Sequence, residues 1–162
     1  MAFPKLYTIG YEGASIEGLV AALQQAGVTR VLDIRYAPYS RREAFSIEAL
    51  GPALTAYNIA YTHIRGLGNP PSGREAARLG HAAAYREIFT AHLNGPEGQA
   101  GLHQALAFAE ADTLCLLCME RAARNCHRSM AAKALAALTG CEIAHLQIDS
   151  KSAHPAQSAF EF

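Results

Sequence analysis

The stretch from Leu114 to Arg128, reading LCLLCMERAARNCHR, constrains the fold of this chain more than any other. Its first five residues, Leu114 to Cys118, are apolar without a break, and the run stops at Glu120. A short apolar run bounded by polar residues reads as a strand buried on both faces, the pattern of a parallel sheet. A polar loop follows. Cys126-His127-Arg128 then opens an apolar-periodic stretch, Met130 to Leu138, that reads as a helix. In open α/β sheets the strand-to-helix turn is where ligands bind, because exposed backbone N–H groups and the helix dipole meet there. Here that turn carries the thiols of Cys118 and Cys126, the Glu120 carboxylate, the His127 imidazole and the Arg128 guanidinium.

The rest of the chain repeats the strand-then-helix order. Leu6 to Ile9 is predicted as the first strand, ended by Gly10. Ser15 is positioned to cap a helix running to about Gln25, with Gly27 as its stop. Val28 to Ile34 reads as a second buried strand, Ile47 to Tyr57 as a helix behind Ser46, and Ile59 to Ile64 as a third strand. The Gly- and Pro-rich residues 65–74 read as a loop. Helices are expected from Ala82 to Leu93 and, after a break at 94–98, on to about Glu110. Thr113 to Cys118 is the fourth strand, Cys126 to Leu138 a helix ended by Gly140, and Glu142 to Ile148 the last strand. This alternation predicts an α/β fold with three layers: a mostly parallel five-stranded sheet with helices on both faces. In this reading residues 1–148 form a single domain and residues 149–162 a loose or docking tail.

Composition removes several function classes. The formal net charge is zero, so no bulk field draws the chain to nucleic acid or an anionic membrane. No apolar run approaches a membrane span, and the first residues lack the pattern of a signal peptide. Four cysteines in apolar or helix-start contexts do not resemble a disulfide scaffold. The simplest expectation is a soluble, reducing, cytoplasmic setting. Of the 14 basic residues, 11 are Arg, the side chain suited to planar, bidentate recognition of phosphate or carboxylate.

In a parallel sheet all carboxyl ends share one edge. The residues after successive strands are Gly10-Tyr11-Glu12, then Asp33-Ile34-Arg35 leading to Ser40-Arg41-Arg42, then His63-Ile64-Arg65, then Cys118 and Glu120. This places Asp33, Arg35, Ser40, Cys118, Glu120 and Arg128 around one crevice. Thr8-Ile9-Gly10-Tyr11-Glu12-Gly13, Leu32-Asp33-Ile34-Arg35 with Pro38, Ser40 and Phe45, Leu67-Gly68, Leu117-Cys118-Met119-Glu120 and Cys126-His127-Arg128-Ser129 together form a recognisable pattern. On these motifs the chain resembles the bacterial domain-of-unknown-function 488 family, over about Tyr7 to Leu138. The resemblance implies a compact α/β domain with these site residues and names no reaction.

The chemistry of the crevice follows from its residue types. A thiol at a strand end, facing a helix N-terminus and Arg side chains, has a depressed pKa, so Cys118 or Cys126 is the candidate nucleophile or ligand. Asp33 and Glu120 are candidate acid–base residues. Arg35 and Arg128 are candidate anion clamps, with Ser40 as a further donor and Arg41 and Arg42 nearby. Tyr11 is positioned to stack on a ring, and His127 completes the substrate-binding set. Other arrangements fit less well. Cys118 and Arg124 have the Cys-x5-Arg spacing of an oxyanion cradle, but the loop lacks Gly and Glu120 would repel phosphate. Cys115 and Cys118 leave a strand on opposite faces, against a redox pair. Gly66-Leu67-Gly68 lacks the dinucleotide fingerprint, and Cys-x7-Cys-His matches no closed metal site. No metal is expected, and the cofactor, if any, is unknown. The leading expectation is a cysteine-dependent hydrolase or transferase acting on an anionic small molecule, nucleotide- or nucleic-acid-derived. The alternative is a non-catalytic ligand- or nucleic-acid-binding module using the same crevice.

Overall fold

The computed structural model describes residues 4–37 and 40–148. The expected tail at 149–162 and the motif residue Pro38 lie outside the described residues. Within them, a five-stranded sheet has the order β3-β2-β4-β1-β5. Its strands are β1 (Lys5–Gly10), β2 (Arg30–Asp33), β3 (Ala60–His63), β4 (Leu114–Cys118) and β5 (Glu142–His145). Every pairing is parallel, so the sheet goes beyond "mostly parallel". The last strand is shorter than predicted: after His145 the ladder continues only as Leu146 N–H donating to the Thr8 carbonyl at 2.7 Å.

Two apolar layers cover the sheet. On one face α1 (Ile16–Ala26) and α2 (Ile47–Thr55) bring Leu19, Leu23, Leu50 and Leu54 against Ile9, Val31, Cys115 and Leu117. On the other, α4 (Ala82–Asn94), α5 (Pro96–Ala109) and α6 (His127–Thr139) bring Phe89, Leu102, Ala131 and Leu135 against Leu6, Leu32, Leu114 and Leu116. β4 shows the logic of its sequence directly. All five residues are buried, and alternate side chains feed alternate clusters. Each fully buried Leu contributes about 1.5–3 kcal/mol relative to an exposed one.

Local signals set the helix ends. Ser15 Oγ accepts the Gly18 N–H at 3.0 Å, and Gly27 closes α1 at φ 74°, a left-handed conformation that costs other residues about 1–2 kcal/mol. The predicted loop at 65–74 is the principal correction. A 3-10 turn covers Arg65–Leu67, and α3 (Pro71–Arg78) follows it. Pro71 occupies the first helical position, where a missing N–H removes no hydrogen bond and φ is already helical. Gly66, Gly68 and Gly73 serve close packing there; a Cβ on Gly68 would overlap the Tyr36 backbone.

The topology sets where the site lies. β4 lies between β1 and β2. The chain leaving β1 and β2 goes to helices on one face, and the chain leaving β4 goes to α6 on the other. The carboxyl end of β4 is therefore a topological switch point, where diverging connections open a crevice. Gly10 ends β1 beside it, and a Cβ there would overlap the Glu120 carbonyl and lie 2.7 Å from Arg128 Nη1. Gly10→Ala is expected to lower stability by at least about 1–3 kcal/mol, since neither backbone nor buried guanidinium can yield. Urea unfolding checks this, and an unchanged midpoint would show that the contact relaxes freely.

Candidate active site

Arg128, in the first turn of α6, is fully buried and is the bulkiest such side chain among the described residues. A cation at a helix N-terminus opposes the dipole, and a buried guanidinium stays charged, so its surroundings must supply compensation. Nε donates to Thr8 Oγ1 at 3.0 Å and Nη2 to the Arg121 carbonyl at 3.1 Å. Nη1 donates to Cys118 Sγ at 3.1 Å and to the Glu120 carbonyl. Glu120 contributes its backbone oxygen here rather than its carboxylate. Within this shell the group able to carry a full negative charge is the Cys118 sulfur.

That sulfur is buried, which by itself raises a thiol pKa. Burial is outweighed by a hydrogen bond from the Cys126 thiol and by the charge and hydrogen bond of Arg128, which together hold Cys118 below the ordinary thiol range. Cys126 moves the opposite way. Burial and the proton it shares with Cys118 keep it well above that range. Of the two thiols, Cys118 is therefore the one that gives up its proton first. Cys126 also caps α6, its sulfur accepting the Arg128 N–H at 3.5 Å.

His127 is fixed in one tautomer. Its Nε2 lies 2.8 Å from the Ile34 carbonyl, which can only accept, so Nε2 carries the proton. Nδ1 is left as an acceptor 3.6 Å from Cys126 Sγ. Burial among apolar groups, including the Phe89 ring at 5.2 Å, pulls the imidazole pKa down to about 4. His127 is thus neutral and a weak base, its Nδ1 facing Cys126 as a hydrogen-bond acceptor.

Asp33 and Arg35 form a buried strut. The Asp33 carboxylate accepts from Arg35 N–H (3.1 Å), Nε (2.9 Å) and Nη2 (2.6 Å) and from the Tyr61 hydroxyl (2.5 Å). Arg35 Nη1 donates to Tyr11 Oη at 3.1 Å and the Phe45 carbonyl at 2.7 Å. Tyr11 stacks on Phe45 with ring centroids 4.4 Å apart. Asp33 is fully buried and does not line the cleft, so its carboxylate is engaged in structure rather than poised for proton transfer.

The cleft above the sulfurs has a volume of about 220 Å³. Tyr11, Arg35, Cys118, Glu120, Cys126 and His127 line it, joined by Tyr36, Asn69, Arg74 and Met119. Asp33 and Arg128 support it from behind. Glu120 is half-buried; burial and the neighbouring Glu12 raise its carboxyl pKa, with Arg128 opposing them. Ser40 does not reach this cleft. It borders a second one, of about 320 Å³, with Arg41 and Arg42 on the far side of Tyr11 and Met119, and its Oγ accepts the Arg42 N–H at 3.1 Å. Arg124 is exposed and lines neither.

Further residues take part, and of these Thr8, Asn69 and Arg74 escaped the sequence reading. Thr8 holds Arg128 and is itself held by His145 Nδ1 at 2.5 Å. Asn69 is 7% exposed, and its Oδ1 is buried without a hydrogen-bond partner. Tyr36 meets the guanidinium of Arg65 at 4.4 Å and that of Arg74 at 5.6 Å from its ring centre. Burial, followed by the charges of Cys126, Glu120 and Cys118, raises the Tyr85 phenol pKa. The signal for Asn69 and Arg74 lay in Pro70-Pro71, once read as a helix start. Among the described residues no three His, Cys, Asp or Glu side chains converge as metal ligands.

Residues 15–135 match the family described as domain of unknown function DUF488. The chain belongs to this family. Comparison with curated proteins and with solved structures returned no match. The family description carries no activity, so the chemistry rests on the geometry of this DUF488 domain. No helix among the described residues is long and apolar enough to cross a membrane.

Two outcomes follow. Replacing Arg128 by Met should move the pH midpoint of Cys118 alkylation upward by about 1–3 units, because the opposing charge is gone. A midpoint unchanged from wild type would remove Arg128 as the source of the thiolate. For His127, the unfolded chain takes up a proton as pH falls below the ordinary 6.5, while the native imidazole resists until about 4. The unfolded state binds more protons in that window, so wild-type stability drops toward acid by about 1.4 kcal/mol per pH unit from this residue. Urea unfolding across the window should show that slope in wild type and its loss in His127→Asn.

Proposed function

We propose that the cleft is the active site of a cysteine-dependent hydrolase or transferase acting on an anionic, nucleotide- or nucleic-acid-derived small molecule. The observation that carries this reading is the 3.1 Å contact between Arg128 and the Cys118 sulfur inside a shell of carbonyls and a hydroxyl. A thiolate stabilised in this way at the base of a cleft is a nucleophile. Its sulfur bonds to the electrophilic centre of the substrate, and the bond to the leaving group breaks. Glu120, which lines the cleft, protonates the departing group. Water or an acceptor hydroxyl then gives its proton to the Glu120 carboxylate and attacks the same centre. The sulfur leaves as the thiolate, again held by Arg128.

The mouth of the cleft supports this substrate class. Tyr36 with the guanidiniums of Arg65 and Arg74 makes an aromatic and cationic platform, suited to a planar base carrying a negative group. Arg35 and Arg128 are occupied by protein partners, so anion capture is assigned to Arg74, with Arg35 fixing Tyr11 as a wall. The runner-up, a non-catalytic binding module, uses the same platform and omits the covalent step.

Two alkylating agents of opposite design test both parts. Cys118 should show a higher rate ratio of iodoacetate to iodoacetamide than free cysteine does, and Arg74→Ala should lower that ratio. A ratio equal to free cysteine and insensitive to Arg74 would refute an anion-selective cleft. Incubation with a panel of nucleotides, read by mass, separates the readings of function: an enzyme changes the ligand mass and Cys118→Ser does not, whereas a binder returns every ligand intact.

A further inference from the structure

Cys126 has no place in the covalent cycle above, yet it is built into the same shell as the nucleophile. Arg128 holds both sulfurs, Cys118 through Nη1 at 3.1 Å and Cys126 through its backbone N–H at 3.5 Å. Both sulfurs therefore accept from one residue, and the Cys126 thiol is among the groups that hold the Cys118 pKa down. Both line the cleft, and His127 Nδ1 waits 3.6 Å from Cys126 as a bare acceptor. The other two cysteines stand apart. Cys115 points to the opposite face of β4, among the residues packed by α1 and α2, and Cys141 precedes β5 at the other edge of the sheet.

We propose that Cys118 and Cys126 are a peroxide-reactive dithiol that closes to a reversible disulfide. The inference shares the Cys118 thiolate with the proposed function and needs no substrate turnover. The oxidant is a hydroperoxide, small enough for the cleft. The thiolate attacks its terminal oxygen, the O–O bond breaks, and the alkoxide or hydroxide leaves with a proton from solvent; Cys118 becomes a sulfenic acid. Cys126 then attacks the Cys118 sulfur while its thiol proton passes to the sulfenic acid oxygen. The S–O bond breaks, and the hydroxide leaves with that proton as water. One dithiol is oxidised, and one hydroperoxide is reduced to an alcohol or water.

Arg128 also sets the direction of the exchange. Its charge stabilises the thiolate and has nothing equivalent to hold in a neutral disulfide. The reduced form is therefore favoured, the arrangement that makes a disulfide oxidising and easily reopened. Such a bond is transient and protects Cys118 from over-oxidation during exposure to peroxide, at the expense of its nucleophile.

The test uses the full chain with stoichiometric hydrogen peroxide and intact-mass and peptide mapping. Wild type should lose about 2 Da and yield a Cys118–Cys126 cross-linked peptide, with millimolar glutathione restoring the starting mass. Cys126→Ser should instead trap Cys118 with dimedone and progress to the sulfinic acid, about 32 Da heavier. Arg128→Met should form a disulfide that glutathione reopens more slowly. Sulfinic acid in wild type without a cross-link, while Cys118 still alkylates readily, overturns the pairing and leaves the nucleophile reading intact. A cross-link through Cys115 or Cys141 overturns it equally. Cys118 inert to both peroxide and alkylation removes the two proposals together.

Discussion

A fully buried guanidinium with no carboxylate hydrogen-bonded to it among the described residues is the constraint on which the rest of this site depends. Removing Arg128 from water is costly, by several kcal/mol even after relaxation, and unlike Lys it cannot escape by losing its proton. The chain answers with oxygens and a sulfur from three directions: Thr8 on β1, the carbonyls of Glu120 and Arg121, and Cys118 at the end of β4. Each is held in turn. Thr8 is tied to His145, the loop after β4 is closed against Gly10, and the α6 terminus is capped by Cys126. The acidity of Cys118 is thus a by-product of solving a solvation problem.

The second ion pair is a different kind of object. Asp33 and Arg35 satisfy one another through two side-chain hydrogen bonds at 2.9 and 2.6 Å, and Tyr61, Tyr11 and the Phe45 carbonyl complete their shells. Nothing is left over for chemistry; what the pair supplies is rigidity. It locks the stacked Tyr11 and Phe45 as a wall between two clefts. Charged residues two apart at a strand end can therefore mean either chemistry or bracing, and only the count of filled hydrogen-bond positions tells them apart.

Much of the architecture was legible because burial and direction are written into the strands. Leu114 to Cys118 announces a central strand, and parallel strands force Asp33, Arg35, Cys118 and the start of α6 to one edge. The remainder was hidden for identifiable reasons. Backbone carbonyls have no sequence letter, so Arg128 read as a clamp for an anion when its partners are largely the chain's own oxygens. Pro and Gly at 65–74 mark loops and also helix starts and close packing, so α3 was missed, and with it the place of Asn69 and Arg74. Ser40 follows the right strand but falls beyond Tyr11, since order along the chain does not fix lateral position along an edge. Nothing in the sequence marks His145, because its partner, Thr8, lies across the sheet on β1.

The strand order carries a consequence for how the chain is made. β1 pairs only with β4 and β5 among the described strands, while β2 pairs with β3 early in the sequence. During synthesis β2 and β3 have each other, but β1 has no neighbour until more than a hundred residues later, when β4 arrives to fill the gap. Parallel pairings of such long sequence separation are slow to close. The nascent amino-terminal half therefore leaves the ribosome with an open strand edge, and the same late strand that completes the sheet also delivers the sulfur on which the site is built.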